Sequence, residues 1–535
     1  MELVKRQIHM NRWKGNVTTQ ITLDDDFIVP DTLDDMEQVM LNTGDIQLET
    51  VKNQGDKVAV KGKLEFQILY RRENGGLQTL GGSIPFEETI NVPDLEEKDY
   101  VGLNWMLEDL SADMINSRKL GVKAIITLQV RVETLRDVEA AVDIEGENAG
   151  RSQAAGFQAP GEPLEVETLK RRVNVAAMAV RRKDTFRIRD ELSLTGGKPN
   201  IGQLLWREMK LRDVSAKPLD GRLHLDGELA VFVIYSPEDD SMPVQWMEEI
   251  MPFSGDMEMS DVREDHIPMI TVRLAHRDFE AKPDYDGEMR KIELDAVLEL
   301  DIKLYEEQET ELLSDMYSNS RELELEKREA GFDQILTRNV CRSKIGEKIK
   351  IPETERILQI CHNEGSIKLD DVEIGEDSLQ IEGVLEVTLL YLASDDASPI
   401  RSFVKQMPFH CTAEARDIRE DSVYQLDARL EQLNAVMTGA DMVEVKAVVA
   451  LDFLVLQPVK EPVITGVSVK PMDMQHLQEL PGIVGYIVQP EDSLWTIAKK
   501  FHTTVGTIIS ANELADDQVK KGQRLLLIKE ISQNI

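Results

Sequence analysis

In the run GELAVFVIY, residues 227–235, Leu229, Val231, Val233 and Tyr235 alternate with Ala230, Phe232 and Ile234. A period of two puts these sets on opposite faces of a strand. Apolar residues on both faces predict a sheet covered on both sides. The pattern occurs three times: GKLEFQILY from Gly62, GELAVFVIY from Gly227 and GVLEVTLLY from Gly383. Each copy has a tyrosine eight residues after its glycine (Tyr70, Tyr235, Tyr391), then a polar turn, then a Pro-Phe pair ending in Phe86, Phe253 or Phe409. The turns at 71–76 and 236–241 read as hairpin connections.

A second shared element follows. Leu107-Glu108-Asp109-Leu110-Ser111-Ala112 matches Leu430-Glu431-Gln432-Leu433-Asn434-Ala435, with a looser counterpart from Leu274 to Ala281. A closing apolar strand begins near Val122, Ile292 and Val443. The recurrence of all three elements in one order, spaced 165 and 156 residues apart, predicts a repeat architecture. The expected fold is mainly β: three β-rich, antiparallel, sandwich-like repeats with a short helix in each, then a small βααβ domain. The repeats are expected at 1–140, 165–305 and 330–460, and the small domain at 484–530. Tyr70, Tyr235, Tyr391 and their Pro-Phe partners read as core. Residues 145–164, rich in Gly, Ala and Pro, read as a linker. The charged stretch 306–329 reads as a solvated helix or a linker, and 458–482, with four prolines, as a tether.

The C-terminal domain has a helical period instead. Tyr486-Ile487-Val488 reads as a short strand, and Asp492 and Ser493 stand where a helix N-cap belongs. Leu494, Ile497, Ala498 and Phe501 follow at i, i+3, i+4 and i+7, one helix face. A second short helix begins near Thr504, and Arg524 to Ile528 reads as a closing strand.

Charge changes the functional picture. The chain of 535 residues has net charge −37, yet residues 484–530 carry six acidic and six basic side chains, so the negative charge lies upstream. Such a surface repels phosphate backbones and anionic lipid, which argues against nucleic-acid binding and membrane insertion. The three cysteines, Cys341, Cys361 and Cys411, do not make a disulfide framework and suit a reducing compartment as isolated core residues. The first residues lack the apolar run of about 7–15 residues of a secretory signal, so a cytoplasmic location is expected.

Catalytic and metal signatures are missing. Gly196-Gly197-Lys198 lacks the glycine spacing and the Ser/Thr of a nucleotide-binding loop, and there is no H-E-x-x-H or Cys-x-x-Cys. Cys361-His362 and His410-Cys411 hold zinc-ligand types, but neighbours in a strand point to opposite faces. No metal, cofactor or catalytic residue is expected, and acidic runs such as Asp24-Asp25-Asp26 read as solvated faces.

The motif Tyr486-x-Val488, Asp492-Ser493-Leu494-Trp495-x-Ile497-Ala498, Ala511-Asn512-x-Leu514, Gly522-Gln523-x-Leu525 resembles a LysM domain over its whole length. That resemblance implies binding to N-acetylglucosamine polymers such as peptidoglycan. It implies a groove with Asp492, Ser493 and Leu494 on one lip and Asn512, Glu513 and Leu514 on the other. The family usually has glycine where this chain has Glu491. Three acidic β-rich repeats before a terminal LysM domain resemble the SPOCS-domain family of endospore-forming Firmicutes. This implies a non-enzymatic scaffold in the mother-cell cytoplasm, at the forespore surface or spore coat. Its implied partner is a spore-coat morphogenetic ATPase of the basement layer. A peptidoglycan-binding protein of cortex or wall is the alternative.

Overall fold

The computed structural model describes residues 2–73, 75–145, 165–239, 242–351, 356–394, 400–472, 479 and 481–529. The expected linker falls almost wholly at 146–164, outside the described residues, as do positions 74 and 240–241 of the two hairpin turns. Strand makes up 77 % of the described residues and helix 3 %, which places the chain in the mainly β class.

Each repeat is built from two three-stranded antiparallel sheets. In the first, β1 (Glu2–Ile28), β6 (Lys119–Glu145) and β5 (Tyr100–Asn116) pair in the order β1-β6-β5. They face β2 (Met36–Asn53), β3 (Lys57–Arg72) and β4 (Leu77–Asn91), in the order β2-β3-β4. The second repeats this with β7 (Glu167–Ser193), β12 (Met289–Tyr317) and β11 (Ile267–Pro283) facing β8 (Ile201–Leu219), β9 (Arg222–Pro237) and β10 (Gln245–Glu258). The third has β13 (Arg321–Lys350), β18 (Met442–Pro471) and β17 (Val423–Met437) facing β14 (Ile357–Gly375), β15 (Ser378–Ala393) and β16 (Ile400–Glu414). Alternating apolar residues of the two central strands fill each sandwich, as Leu64, Phe66, Ile68 and Tyr70 do against Val122, Ala124, Ile126 and Leu128.

The recurring glycine and Pro-Phe pair are one device. Gly62, Gly227 and Gly383 lie directly opposite Phe86, Phe253 and Phe409 on the neighbouring strand. Each phenylalanine ring covers its glycine so closely that an added Cβ would come within 2.8–2.9 Å of the ring. The glycine leaves the room, and the ring restores the buried area.

The short helix expected in each repeat is absent from the described residues. The shared element at Leu107–Ala112 lies on β5 and contains a β-bulge: Leu107 pairs with Ile126 but Asp109 with Ile125. The extra residue brings Leu107 and Leu110 onto one face. Both press on Gly44, as Leu430 and Leu433 press on Gly365. The second repeat keeps the bulge, after Leu274, but substitutes Arg277 for the second leucine, and Arg277 donates to the Met209 carbonyl.

The three sandwiches close into a ring. β4 lies against β8, β10 meets β14 through Glu248 and His362, and β16 lies against β2. The last contact returns the third repeat to the first. The outer faces of the central strands meet there, with Leu69, Ile234 and Leu390, each just before its tyrosine, in one apolar cluster. Those doubly apolar strands are thus explained.

Strands β1, β6, β7, β12, β13 and β18 are 27–30 residues long, about 90 Å at the rise of a strand. Bulges recur where they leave the sandwich, at Trp13/Gly15, Leu304/Tyr305 and Ile335/Thr337. Beyond them, three two-stranded ribbons share a second core that includes Ile8, Val138, Val175, Leu312, Phe332 and Val463. The charged stretch 306–329 is therefore neither helix nor linker but the end of β12 and the start of β13. The proline-containing stretch expected to be a tether continues β18 to Pro471. Two-stranded ribbons expose one face and both edges, so their sequence is polar although their backbone is regular.

Cys341 on β13 and Cys411 on β16 form a disulfide across the third sandwich. This corrects the expectation of three isolated core cysteines. It holds for Cys361 alone, which is buried in the cluster between repeats.

Candidate functional site

The C-terminal domain contains β19 (Ile483–Ile487), α1 (Leu494–Lys500), α2 (Val505–Asn512) and β20 (Arg524–Ile528), with β19 antiparallel to β20. Its helices are too short to persist alone and depend on packing. Leu494, Ile497, Ala498 and Ile508 supply that packing against Leu525 and Leu527.

The first lip is held by local hydrogen bonds. The Asp492 carboxylate accepts from the Gln489 backbone N–H at 2.7 Å and from the Tyr486 hydroxyl at 2.8 Å. These bonds hold its carboxyl below the usual range. Ser493 caps α1, accepting from the Thr496 N–H at 3.1 Å, and Thr496 returns the bond to complete a capping box. Leu494 is buried in the core.

The second lip is anchored to β20. The Asn512 amide donates to the Leu526 carbonyl at 2.8 Å and accepts from the Leu526 N–H at 2.6 Å. It thereby replaces a missing strand neighbour. Glu513 ends α2 in the left-handed conformation, with φ of 50°, and Leu514 packs on the same core as Leu494. Five of the six expected groove residues thus carry a structural duty: a turn, a cap, two core positions and a strand clamp. Ser493 and Glu513 are also exposed. Glu491, where a glycine is usual, has φ of 72°, a conformation that favours glycine.

The domain is fastened to the ring by residues that sequence reasoning missed. Asp315, at the end of β12, accepts from the Trp495 indole N–H at 2.9 Å and from the Lys499 ammonium at 2.8 Å. The Tyr317 hydroxyl donates to the Thr503 carbonyl at 2.8 Å, and its ring meets the Trp495 ring edge-on at 4.9 Å. Burial opposes the charge of Asp315, but bonds from Lys499, Trp495 and Lys327 hold its carboxyl below the usual range. These contacts use α1 and the α1–α2 turn, away from the two lips.

The two Cys-His pairs do not converge. Cys361 sits between repeats, where burial pushes its thiol up to about 11. His362 beside it hydrogen-bonds Glu208 and Glu248. Cys411 is joined to Cys341, and His410 is exposed. Among the described residues no group of three or more His, Cys, Asp or Glu side chains is placed to hold a metal. No helix among them is long and apolar enough to cross a membrane.

A threefold-repeated β ring with an appended βααβ domain defines a modular, repeat-built protein of the mainly β class. Residues 35–115, 200–282 and 356–438 match the SipL SPOCS domain, and residues 486–527 match the LysM domain. The chain is a SPOCS-domain protein with a C-terminal LysM domain, of the kind found in sporulation. Each SPOCS match spans four strands, β2–β5, β8–β11 and β14–β17. The long flanking strands that complete the second sheet lie outside it. No curated protein and no solved structure matches the chain.

Proposed function

We propose that this chain is a non-enzymatic scaffold of spore-coat assembly that links the coat basement layer to the forespore surface. In this reading the LysM domain is a docking module for a spore-coat morphogenetic ATPase, and the protein works in the mother-cell cytoplasm. The observation that carries it is the fastening of the LysM domain by Asp315 and Tyr317 to the ribbon end of β12, which leads out of the closed ring of three SPOCS-containing sandwiches. A module held in a fixed direction on a stiff body suits an adapter between two layers. The domain bounds 1–140, 165–305, 330–460 and 484–530 belong to the same proposal.

Glycan binding is the second reading, with Asp492, Ser493, Leu494, Asn512, Glu513 and Leu514 as the groove. It is favoured by the position of the ring contacts on α1 and the α1–α2 turn, which leaves Ser493 and Glu513 exposed. One experiment separates the two. The full chain is incubated with the purified ATPase and, separately, with purified peptidoglycan, each with and without soluble chito-oligosaccharide. Binding to the ATPase that requires residues 484–530 and resists the oligosaccharide supports docking. Saturable sedimentation with peptidoglycan, displaced by the oligosaccharide, puts glycan binding first. Retention of neither partner overturns both.

A further inference from the structure

The ring encloses a cavity of about 680 Å³ between the first and second repeats. Its walls are β2, β5 and β6 of the first and β7, β8, β11 and β12 of the second, with β17 of the third closing one side. Val51, 37 % exposed, stands at its mouth. The lining is unlike the rest of the protein. Seven Lys or Arg and six Asp or Glu side chains face the space, a net charge of +1 inside a chain of net charge −37.

Most of these cations are neutralised in place. Lys303 and Arg181 meet Glu133, Arg181 also meets Asp301, Arg277 meets Asp45, Lys183 meets Glu299, and Lys210 meets Glu364. Two are not. Arg273 reaches from β11 to the Leu103 carbonyl and the Asn104 amide oxygen of the first repeat, with its guanidinium 4.6 Å over the Trp105 ring. No carboxylate lies within ion-pair distance of it among the described residues, and burial works against its charge. Arg131 pairs through its backbone with Gly102, which has no side chain to cover it. Among the described residues its guanidinium has neither an ion pair nor a hydrogen bond. A third donor is unused: the Arg181 side chain is 4 % exposed, lines the cavity, and its Nε has no hydrogen-bond partner. A buried donor without an acceptor costs free energy unless a ligand supplies one.

We propose that this cavity is a binding site for a small, multiply charged oxyanion, with Arg131, Arg273 and the Nε of Arg181 as its donors. A planar guanidinium offers paired N–H groups to phosphate or carboxylate oxygens. Neither guanidinium has a direct ion pair, although Asp427, Glu299 and Asp301 act on Arg273 from a distance, so the anion that fits is one able to bond both guanidinium groups at once. The Glu133, Glu299 and Asp301 carboxylates, already engaged, leave the neighbouring cations too neutral to hold a large polyanion.

The test uses the full chain. Binding of pyrophosphate and of malonate is measured by titration calorimetry and by the shift of the thermal midpoint, at constant ionic strength set with sodium chloride. Saturable one-site binding of either anion is expected, with pyrophosphate preferred if the ligand is phosphate-type and malonate if it is a dicarboxylate. Arg131→Gln should weaken that binding at least tenfold while leaving the ligand-free midpoint unchanged, because this guanidinium holds nothing in the empty protein. Absence of saturable binding by both anions, or equal binding in Arg131→Gln, overturns the site.

Discussion

The ring of Phe409 lies over Gly383, so that a Cβ on the glycine would fall 2.9 Å from the ring and 2.5 Å from the Lys368 carbonyl oxygen. The second contact is with backbone and cannot be relieved by rotating a side chain. Gly383→Ala should therefore destabilise the third repeat by about 1–3 kcal/mol, the usual cost of overpacking. Phe409→Ala in the same chain should recover only part of that loss, since the carbonyl contact remains. Urea unfolding of the two variants and their combination checks this. A neutral Gly383→Ala would mean that the glycine is dispensable to the repeat.

His362 ties the second and third repeats together and stacks on Phe232 at 4.2 Å. Burial alone would lower its pKa, but hydrogen bonds to Glu208 and Glu248 and their charges raise it to about 9. Against an unfolded value near 6.5, this contribution is fully present below about pH 6.5. It is lost as pH rises through about 9. Its size is on the order of 3 kcal/mol. Glu208, lowered to about 2, acts in the opposite sense and loses its contribution as pH falls through that value. Thermal midpoints from pH 6 to 10 should fall across the upper half of the range. In His362→Gln the decline should flatten.

Asp315 joins the LysM domain to the ring through bonds to Trp495 and Lys499. Asp315→Ala removes both acceptors and should weaken docking by about 1–3 kcal/mol, the range for hydrogen bonds to charged groups. The domain should stay folded, because its own core does not use Asp315. Faster proteolysis between the ring and residue 483 is the expected result, with only a small fall in the midpoint of the ring from the lost Lys327 contact. A cleavage pattern like the parent's would show that Tyr317 suffices.

What the sequence made legible follows from where side chains are buried. Strand alternation, the Gly–Tyr–Phe spacing and the LysM motif all arise from local packing, so the three sandwiches and the βααβ domain could be read directly. The bulge that brings Leu107 and Leu110 onto one face was not legible, because it depends on register with the facing strand β6 and not on local spacing. The stretch 306–329 misled because ribbon strands with exposed edges carry charge. Of the candidate site, all six groove positions were visible as a motif. Their duties as cap, turn and clamp needed the backbone of Gln489, Thr496 and Leu526 to be placed. Asp315 had no local signal, since its partner Trp495 is 180 residues away in the chain.

Glu491 gives the clearest test of the lip where the family uses glycine. Its φ of 72° lies in the left-handed region, where a Cβ crowds the carbonyl and costs roughly 1 kcal/mol. Glu491→Gly removes that strain but adds chain entropy to the unfolded state, so the net gain should be at most about 0.5 kcal/mol. Glu491→Ala keeps the Cβ and should give no such gain, which separates backbone strain from the loss of the carboxylate. The same two variants bear on function. If the carboxylate at the lip obstructs glycan, both should improve binding to chito-oligosaccharide equally. If only Glu491→Gly improves it, the backbone of the turn sets the shape of the groove. If neither does while Glu491→Gly still raises the unfolding midpoint, the strained turn has a structural consequence and no bearing on sugar.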